Sequence, residues 1–210
     1  MGRRLDAHAL CRNDGKVFYK NALPNEIPQM AVALLLDESG SMGSYDRCTY
    51  ARASAIILYD FCQSLHIPIT VYGHSTMHGD VALYSYAEFE TIDGNDKYRM
   101  MDIAARSDNR DGAALRYVAE RLDRRPEEVK ILLLVSDGQP AACGYYGNAA
   151  EEDLRGIKQE YRRKGILFIA AAIGSDKQNI ERIYGDAFMD ITDLNQLPIK
   201  LTAAVKRHMQ

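Results

Sequence analysis

The residues best placed to do chemistry in this chain are an aspartate and two serines at alternate positions, Asp37, Ser39 and Ser41, and a second aspartate within Ser136-Asp137-Gly138. Carboxylates and hydroxyls are hard oxygen donors. Gathered beside glycines that let the backbone turn tightly, they suit a small divalent cation such as Mg²⁺ better than covalent chemistry. A third segment, Asp108-Asn109-Arg110-Asp111-Gly112, adds oxygens just before a helical pattern. The three stretches lie far apart in the chain, so a shared site requires a fold that brings their ends together.

The flanking residues predict such a fold. Met30-Ala31-Val32-Ala33-Leu34-Leu35-Leu36 runs into Asp37, and Ile131-Leu132-Leu133-Leu134-Val135 runs into Ser136-Asp137. Unbroken apolar runs of this length read as parallel strands covered by helices on both faces. If they are neighbours, their Cα atoms start about 4.8 Å apart, and one ion is within reach of both loops. Helical periodicity over 47–65, 112–122, 151–164, 180–184 and 195–208, a short helix within 93–107, and strands at 166–173 and 188–191 supply the alternation of a doubly wound α/β sheet. Residues 69–72 and 81–86 read as strands joined by a turn-rich 74–80, too short for a crossover helix, so one antiparallel edge strand is expected on a mostly parallel sheet. The loops in question then share the carboxyl rim, where such sheets bind ligands. Residues 1–29, with Pro24 and Pro28 and little periodicity, read as an arm leading into a domain over 30–210.

Composition excludes several classes. The 210 residues are 47% apolar and 26% charged, enough for one ordinary domain, and a formal net charge of -3 gives no electrostatic footprint for nucleic acid. No apolar stretch approaches the roughly 20 residues that cross a bilayer. The polar start Gly2-Arg3-Arg4-Leu5-Asp6 does not resemble a secretory signal. Cys11, Cys48, Cys62 and Cys143 show no CxxC spacing, which points to idle thiols in a reducing cytoplasm.

Other motifs read blandly. Phosphoryl transfer through Asp37 needs a second acid two residues on, where Ser39 stands, and no glycine-rich phosphate loop occurs, so any ATP-driven motor must be another chain. His74 and His78 have HxxxH spacing, but on an extended segment they would lie roughly 13 Å apart, and a solvated hairpin is expected. A serine nucleophile needs a histidine base on the rim. His8, His66, His74, His78 and His208 are expected in the arm, at the lower ends or on the edge hairpin, so catalysis is unsupported. Tyr145 and Tyr146 read as partner anchors or as loop packing, and the charge-rich helical segments 116–125 and 151–164 as solvated faces.

Asp37-x-Ser39-x-Ser41, the loop opening a helix at Gly112, and Ser136-Asp137-Gly138 resemble the three parts of the metal-ion-dependent adhesion site of von Willebrand factor A domains, over essentially residues 30 to 205. Asn109-Arg110-Asp111-Gly112-Ala113-Ala114-Leu115, the run 130–140 ending in Ser-Asp-Gly-Gln-Pro, and Leu197-Pro198 are similar to the bacterial branch that includes the nitric oxide reductase activation protein NorD, the rubisco activator subunit CbbO and the cobaltochelatase subunit CobT, with NorD nearest. The resemblance implies Mg²⁺, with Mn²⁺ or Ca²⁺ as substitutes, at Asp37, Ser39, Ser41, Asn109, Asp111 and Asp137. The serines would bind directly, and Asp37 and Asp137 mostly through waters. A coordination position left open would take an acidic residue of a client protein. The resemblance further implies a cytoplasmic, non-enzymatic adaptor working with a MoxR-type AAA+ ATPase. The domain commonly closes a longer chain in this branch, so a fragment or a short member is expected.

One departure matters. Asn109 stands where adhesion-type domains usually have threonine, with Asp111 two residues on, and Asn109 is favoured for the family position. If Asp111 is the direct ligand, the ion is further neutralised and an acid binds more weakly. Alternatives to the adaptor are a metal-dependent hydrolase or phosphatase, and a metal-chelatase subunit.

Overall fold

Alternation along the first long strand decides the architecture. In β3 (Met30–Asp37), Val32, Leu34 and Leu36 enter one buried cluster, while Ala31, Ala33 and Leu35 enter a second on the opposite face. A strand buried on both faces must lie inside a sheet covered by helices. A computed structural model of the chain shows that arrangement and describes residues 4–5, 18–19, 29–90, 94–138, 140–172, 177–191 and 193–208. Most of the arm expected over 1–29 lies outside the described residues; within it β1 (Arg4–Leu5) pairs antiparallel with β2 (Phe18–Tyr19).

From β3 the chain continues through α1 (Arg47–Ser64), β4 (Ile69–Met77), β5 (Asp80–Ala87), α2 (Asp96–Met100), α3 (Asp111–Asp123) and β6 (Val129–Ser136). A small hairpin, β7 (Ala141–Ala142) with β8 (Tyr145–Tyr146), precedes α4 (Gly147–Arg163). The chain then runs through β9 (Ile166–Ala172), α5 (Lys177–Tyr184), β10 (Phe188–Asp190) and α6 (Leu197–His208). The six-stranded sheet has the order β10-β9-β6-β3-β4-β5 and is parallel except for β5, which runs antiparallel to β4. Helices α1 and α6 cover one face; α3, α4 and α5 cover the other. The chain leaves β3 toward β4 and later returns to β6 on its other side, so the strand order reverses at β3/β6 and opens a crevice there.

Register then assigns each polar residue at the rim to a face. Asp37 is paired with His74, and Leu36 with Val135. Counting by two from the buried apolar positions puts Asp37, His74 and Ser136 toward α3, and Glu38, Gly73 and Asp137 toward α1. A slip of one residue would exchange the two sets.

The edge hairpin departs from expectation. Residues 74–77 do not form a turn but continue β4, and the connection shrinks to His78-Gly79, with φ of 53° and 91°. Positive φ at both central residues matches the tight hairpin turns whose twist fits the flanking strands. Polar side chains can stay in this buried strand because each finds a partner. Ser75 Oγ donates to the Asp108 carbonyl (3.0 Å) and accepts from the Ser107 N–H (3.0 Å), and Thr76 Oγ1 accepts from the Asp108 N–H (3.1 Å). These bonds clamp the loop before α3 onto the sheet.

Candidate metal centre

The first loop takes its shape from Met42, which is fully buried and draws a single 3-10 turn, Gly40–Gly43, down onto the core. That turn leaves Ser39 and Ser41 side by side, their hydroxyl oxygens 3.0 Å apart. Asp37 has no solvent exposure. Its Oδ1 accepts the Ser39 N–H (2.8 Å), and its Oδ2 accepts the Ser136 hydroxyl (2.8 Å) and the Asn109 amide nitrogen (3.3 Å). Burial, and then the negative charge of Asp111, push the Asp37 carboxyl above its usual range, which His74 and Ser39 only partly offset.

The second loop is tied to the first by backbone bonds, Gly40 N–H to Ser107 O (2.6 Å) and Arg106 N–H to Glu38 O (2.7 Å). It presents Asn109 and Asp111, both buried. The Ala141 N–H donates to Asn109 Oδ1 at 2.7 Å, which fixes the amide orientation and turns the amide nitrogen toward Asp37 and toward Asp111 Oδ2 (3.4 Å). Asp111 Oδ1 lies 3.2 Å from His74 Nε2, yet is buried without a hydrogen-bond partner. Burial works to lower the His74 pKa, but the adjoining Asp111 and Asp37 charges outweigh it and hold the imidazole above its ordinary value.

The third loop presents Asp137, whose Oδ2 accepts from Arg47 Nη1 at 2.8 Å; the same nitrogen reaches the Ser41 carbonyl at 3.2 Å. Asp137 is thus joined to the first loop through Arg47. Glu38, one residue beyond Asp37, faces away from this group. It is fully buried, accepts the Tyr86 hydroxyl at 2.6 Å, and is paired with Arg106, which stacks 3.9 Å over the Tyr84 ring. A cleft of about 330 Å³ opens over the rim, lined by Ser39, Gly40, Ser41, Arg106, Asn109 and Ala141 among others.

The expected residues are therefore brought together: Asp37, Ser39, Ser41, Asn109 and Asp111 form one contact network, with Asp137 linked by Arg47. His74, expected on a solvated hairpin away from the rim, is instead fully buried against Asp111, a correction that follows from the longer β4. Sequence reasoning also passed over Arg47, Ser136 as a partner of Asp37, and the Glu38–Arg106 pair. Arg47 had left a signal: a basic residue in the first turn of a helix opposes the helix dipole and needs a partner elsewhere.

The donor set fits a hard divalent ion. Among the described residues no three His, Cys, Asp or Glu side chains are arranged to hold a metal by themselves, so an ion held here would also need the serine hydroxyls. The buried Asp111 oxygen, which faces His74 Nε2 without a hydrogen bond of good geometry, and the raised Asp37 carboxyl are both groups that a cation would stabilise.

A mostly parallel sheet of this strand order, with hydroxyl- and carboxylate-bearing loops meeting at its switch point, defines a von Willebrand factor A domain. The fold is shared with the vWF domain of the type V pili tip protein Mfa5 from Porphyromonas gingivalis (TM-score 0.62, 10% identity, 88% of this chain and 97% of that one) and with the von Willebrand factor type A protein from Catenulispora acidiphila (TM-score 0.59, 17% identity, 87% and 43%). The chain belongs to the family described as the cobalamin biosynthesis protein CobT VWA domain, which it matches over residues 96–208. It is 25% identical over 206 residues to the uncharacterized protein YojO of Bacillus subtilis (strain 168), covering 91% of this chain and 32% of YojO. It is 32% identical over 95 residues to Protein NorD of Brucella suis biovar 1 (strain 1330), covering 44% of this chain and 15% of NorD. It is thus a von Willebrand A domain of the NorD/CobT branch that spans about a third of YojO's length. Among the described residues no helix is long and apolar enough to cross a membrane.

Proposed function

We propose that this domain is a non-enzymatic, Mg²⁺-dependent protein-interaction module of NorD type. It would couple a MoxR-type AAA+ ATPase to the activation or maturation of a client metalloenzyme in the cytoplasm. The observation that carries the reading is the paired Ser39 and Ser41 hydroxyls lining an open cleft where the first and second loops meet, with the third loop tied in through Ser136 to Asp37 and through Ala141 to Asn109. Ser39 and Ser41 would hold the ion directly and Asp37 and Asp137 would hold its waters. Asp111 is favoured over Asn109 as the ligand from the second loop, because the Asn109 oxygen is already taken by the Ala141 N–H, whereas the Asp111 carboxylate carries a full charge and its Oδ1 meets only the His74 ring. The bound cation would supply positive charge at an open coordination position, to which a carboxylate of the client could bind.

The surrounding residues favour binding over hydrolysis. His74, the histidine in direct contact with Asp111, has no solvent exposure, so it cannot reach a substrate as a general base. The test is capture of the ATPase and client from the native host by the immobilised domain. Capture is expected with Mg²⁺, and loss of capture is expected in EDTA and in Asp37→Ala. Capture that persists in EDTA, or Mg²⁺-dependent phosphoester turnover that Asp137→Ala abolishes, contradicts the proposal.

A further inference from the structure

The rim gathers three carboxylates, Asp37, Asp111 and Asp137, of which Asp111 already faces His74 at 3.2 Å. Together they lessen the positive charge that a divalent ion among them would offer an incoming carboxylate. Glu38 stays outside this sum because Arg106 and Tyr86 hold it against the other face of the sheet. The counterweight is Arg47, which is only 6% exposed and bonded to Asp137 Oδ2 and to the Ser41 carbonyl.

Arg47 opens helix α1. It occupies the first helical position, where the helix dipole disfavours a cation. The chain enters the helix through Tyr45 and Asp46, both with positive φ (54° and 58°), a conformation unfavourable for residues with a Cβ. These costs are accepted where a strained turn sets a guanidinium against the third loop.

We propose that Arg47 is the specificity-determining residue of the site: by neutralising Asp137 it offsets the extra carboxylate Asp111 and keeps the metal-loaded rim able to take an acid. The inference rests on the metal-binding reading above and assigns Arg47 opposite effects on the two ligands. The guanidinium repels the cation and attracts the carboxylate. A guanidinium is a permanent charge, unlike the neighbouring His74, so the comparison is made at one fixed pH.

The experiment measures Mn²⁺ binding by electron paramagnetic resonance, and acetate binding to the Mg²⁺-saturated protein by NMR. Arg47→Gln keeps a donor for Asp137 and Ser41 while removing the charge. It is expected to tighten Mn²⁺ and weaken acetate, each on the order of tenfold. Arg47→Lys is expected to stay near wild type in both, and Arg47→Met with Asp111→Asn, which removes one charge of each sign, to return both toward wild type. A purely structural arginine would weaken both ligands. That result, or unchanged affinities in Arg47→Gln, overturns the inference while leaving the metal site standing. A wild-type protein that binds no Mn²⁺ overturns the metal-binding reading itself. Should Arg47→Gln fail to fold, the double variant against Asp111→Asn alone reads the same difference, with tighter Mn²⁺ and weaker acetate expected in the double variant and the reverse counting against Arg47.

Discussion

Replacing Gly73 by alanine tests the packing that holds the first loop in place. A Cβ on Gly73 would lie 1.8 Å from Glu38 Oε1, 2.6 Å from its Cδ and 3.0 Å from the Tyr86 ring, so the Glu38 side chain has to move. That carboxylate is fully buried, accepts the Tyr86 hydroxyl at 2.6 Å and is paired with Arg106, so displacing it breaks two interactions of a charged group in a dry site. Hydrogen bonds to charged groups contribute roughly 1.5–3 kcal/mol each, and unpairing a buried ion costs about 3–5 kcal/mol in total, so a loss of about 3–5 kcal/mol is expected. At roughly 2–4 °C per kcal/mol for a chain of this size, Tm should fall by about 6–20 °C in a circular-dichroism melt. Glu38→Ala removes the obstructing side chain, so adding Gly73→Ala to it should cost much less than in the wild-type background, the coupling expected of residues in contact. A Gly73→Ala protein that melts within about 2 °C of wild type, or a double variant whose losses simply add, would refute this packing argument.

Two further outcomes follow from other parts of the fold. A hydrogen bond from Arg116, which outweighs burial, together with the Tyr145 hydroxyl (2.8 Å), holds Asp153 below its usual pKa. The depressed folded-state pKa means that this contribution, about 1 kcal/mol for a part-exposed pair, is present above pH 3.8 and is lost as pH falls through the folded value; Asp153→Asn should flatten that acid limb in urea unfolding curves, and an unchanged limb would count against it. Burial pushes the Cys62 thiol up to about 12, whereas Cys143 is exposed. Mass spectrometry after brief maleimide treatment of the native protein should find Cys143 modified and Cys62 untouched, and rapid labelling of Cys62 would contradict its place in the core.

Much of the scaffold was legible because it rests on apolar runs. The segments ending at Asp37 and Asp137 could hardly be anything but inner strands, and apolar residues at helical spacing over 47–65, 112–122 and 151–164 led to the helices found at 47–64, 111–123 and 147–163, the last starting four residues earlier than expected. Their adjacency placed the two aspartates on one rim. What escaped was the buried polar layer. His74-Ser75-Thr76 has the composition of a turn, yet it pairs with β5 as a strand, and the Ser75 and Thr76 side chains find their partners in Ser107 and Asp108, more than thirty residues later. Arg47 is similar: its partner Asp137 lies ninety positions away. Local composition does not name such partners, even where, as at Arg47, it hints that one is needed; strand parity, once register is known, assigns Asp37 and His74 to one face and Asp137 to the face of α1.

The central claim, that three loops close on one divalent cation, is tested most directly by titrating Mn²⁺ into the wild-type protein and into Ser39→Ala with Ser41→Ala, following free Mn²⁺ by electron paramagnetic resonance. The account expects one bound equivalent in the wild type and an affinity loss of more than about 100-fold in the double variant, with the thermal melt unchanged. Equal binding in the two proteins, or no binding in either, would contradict it.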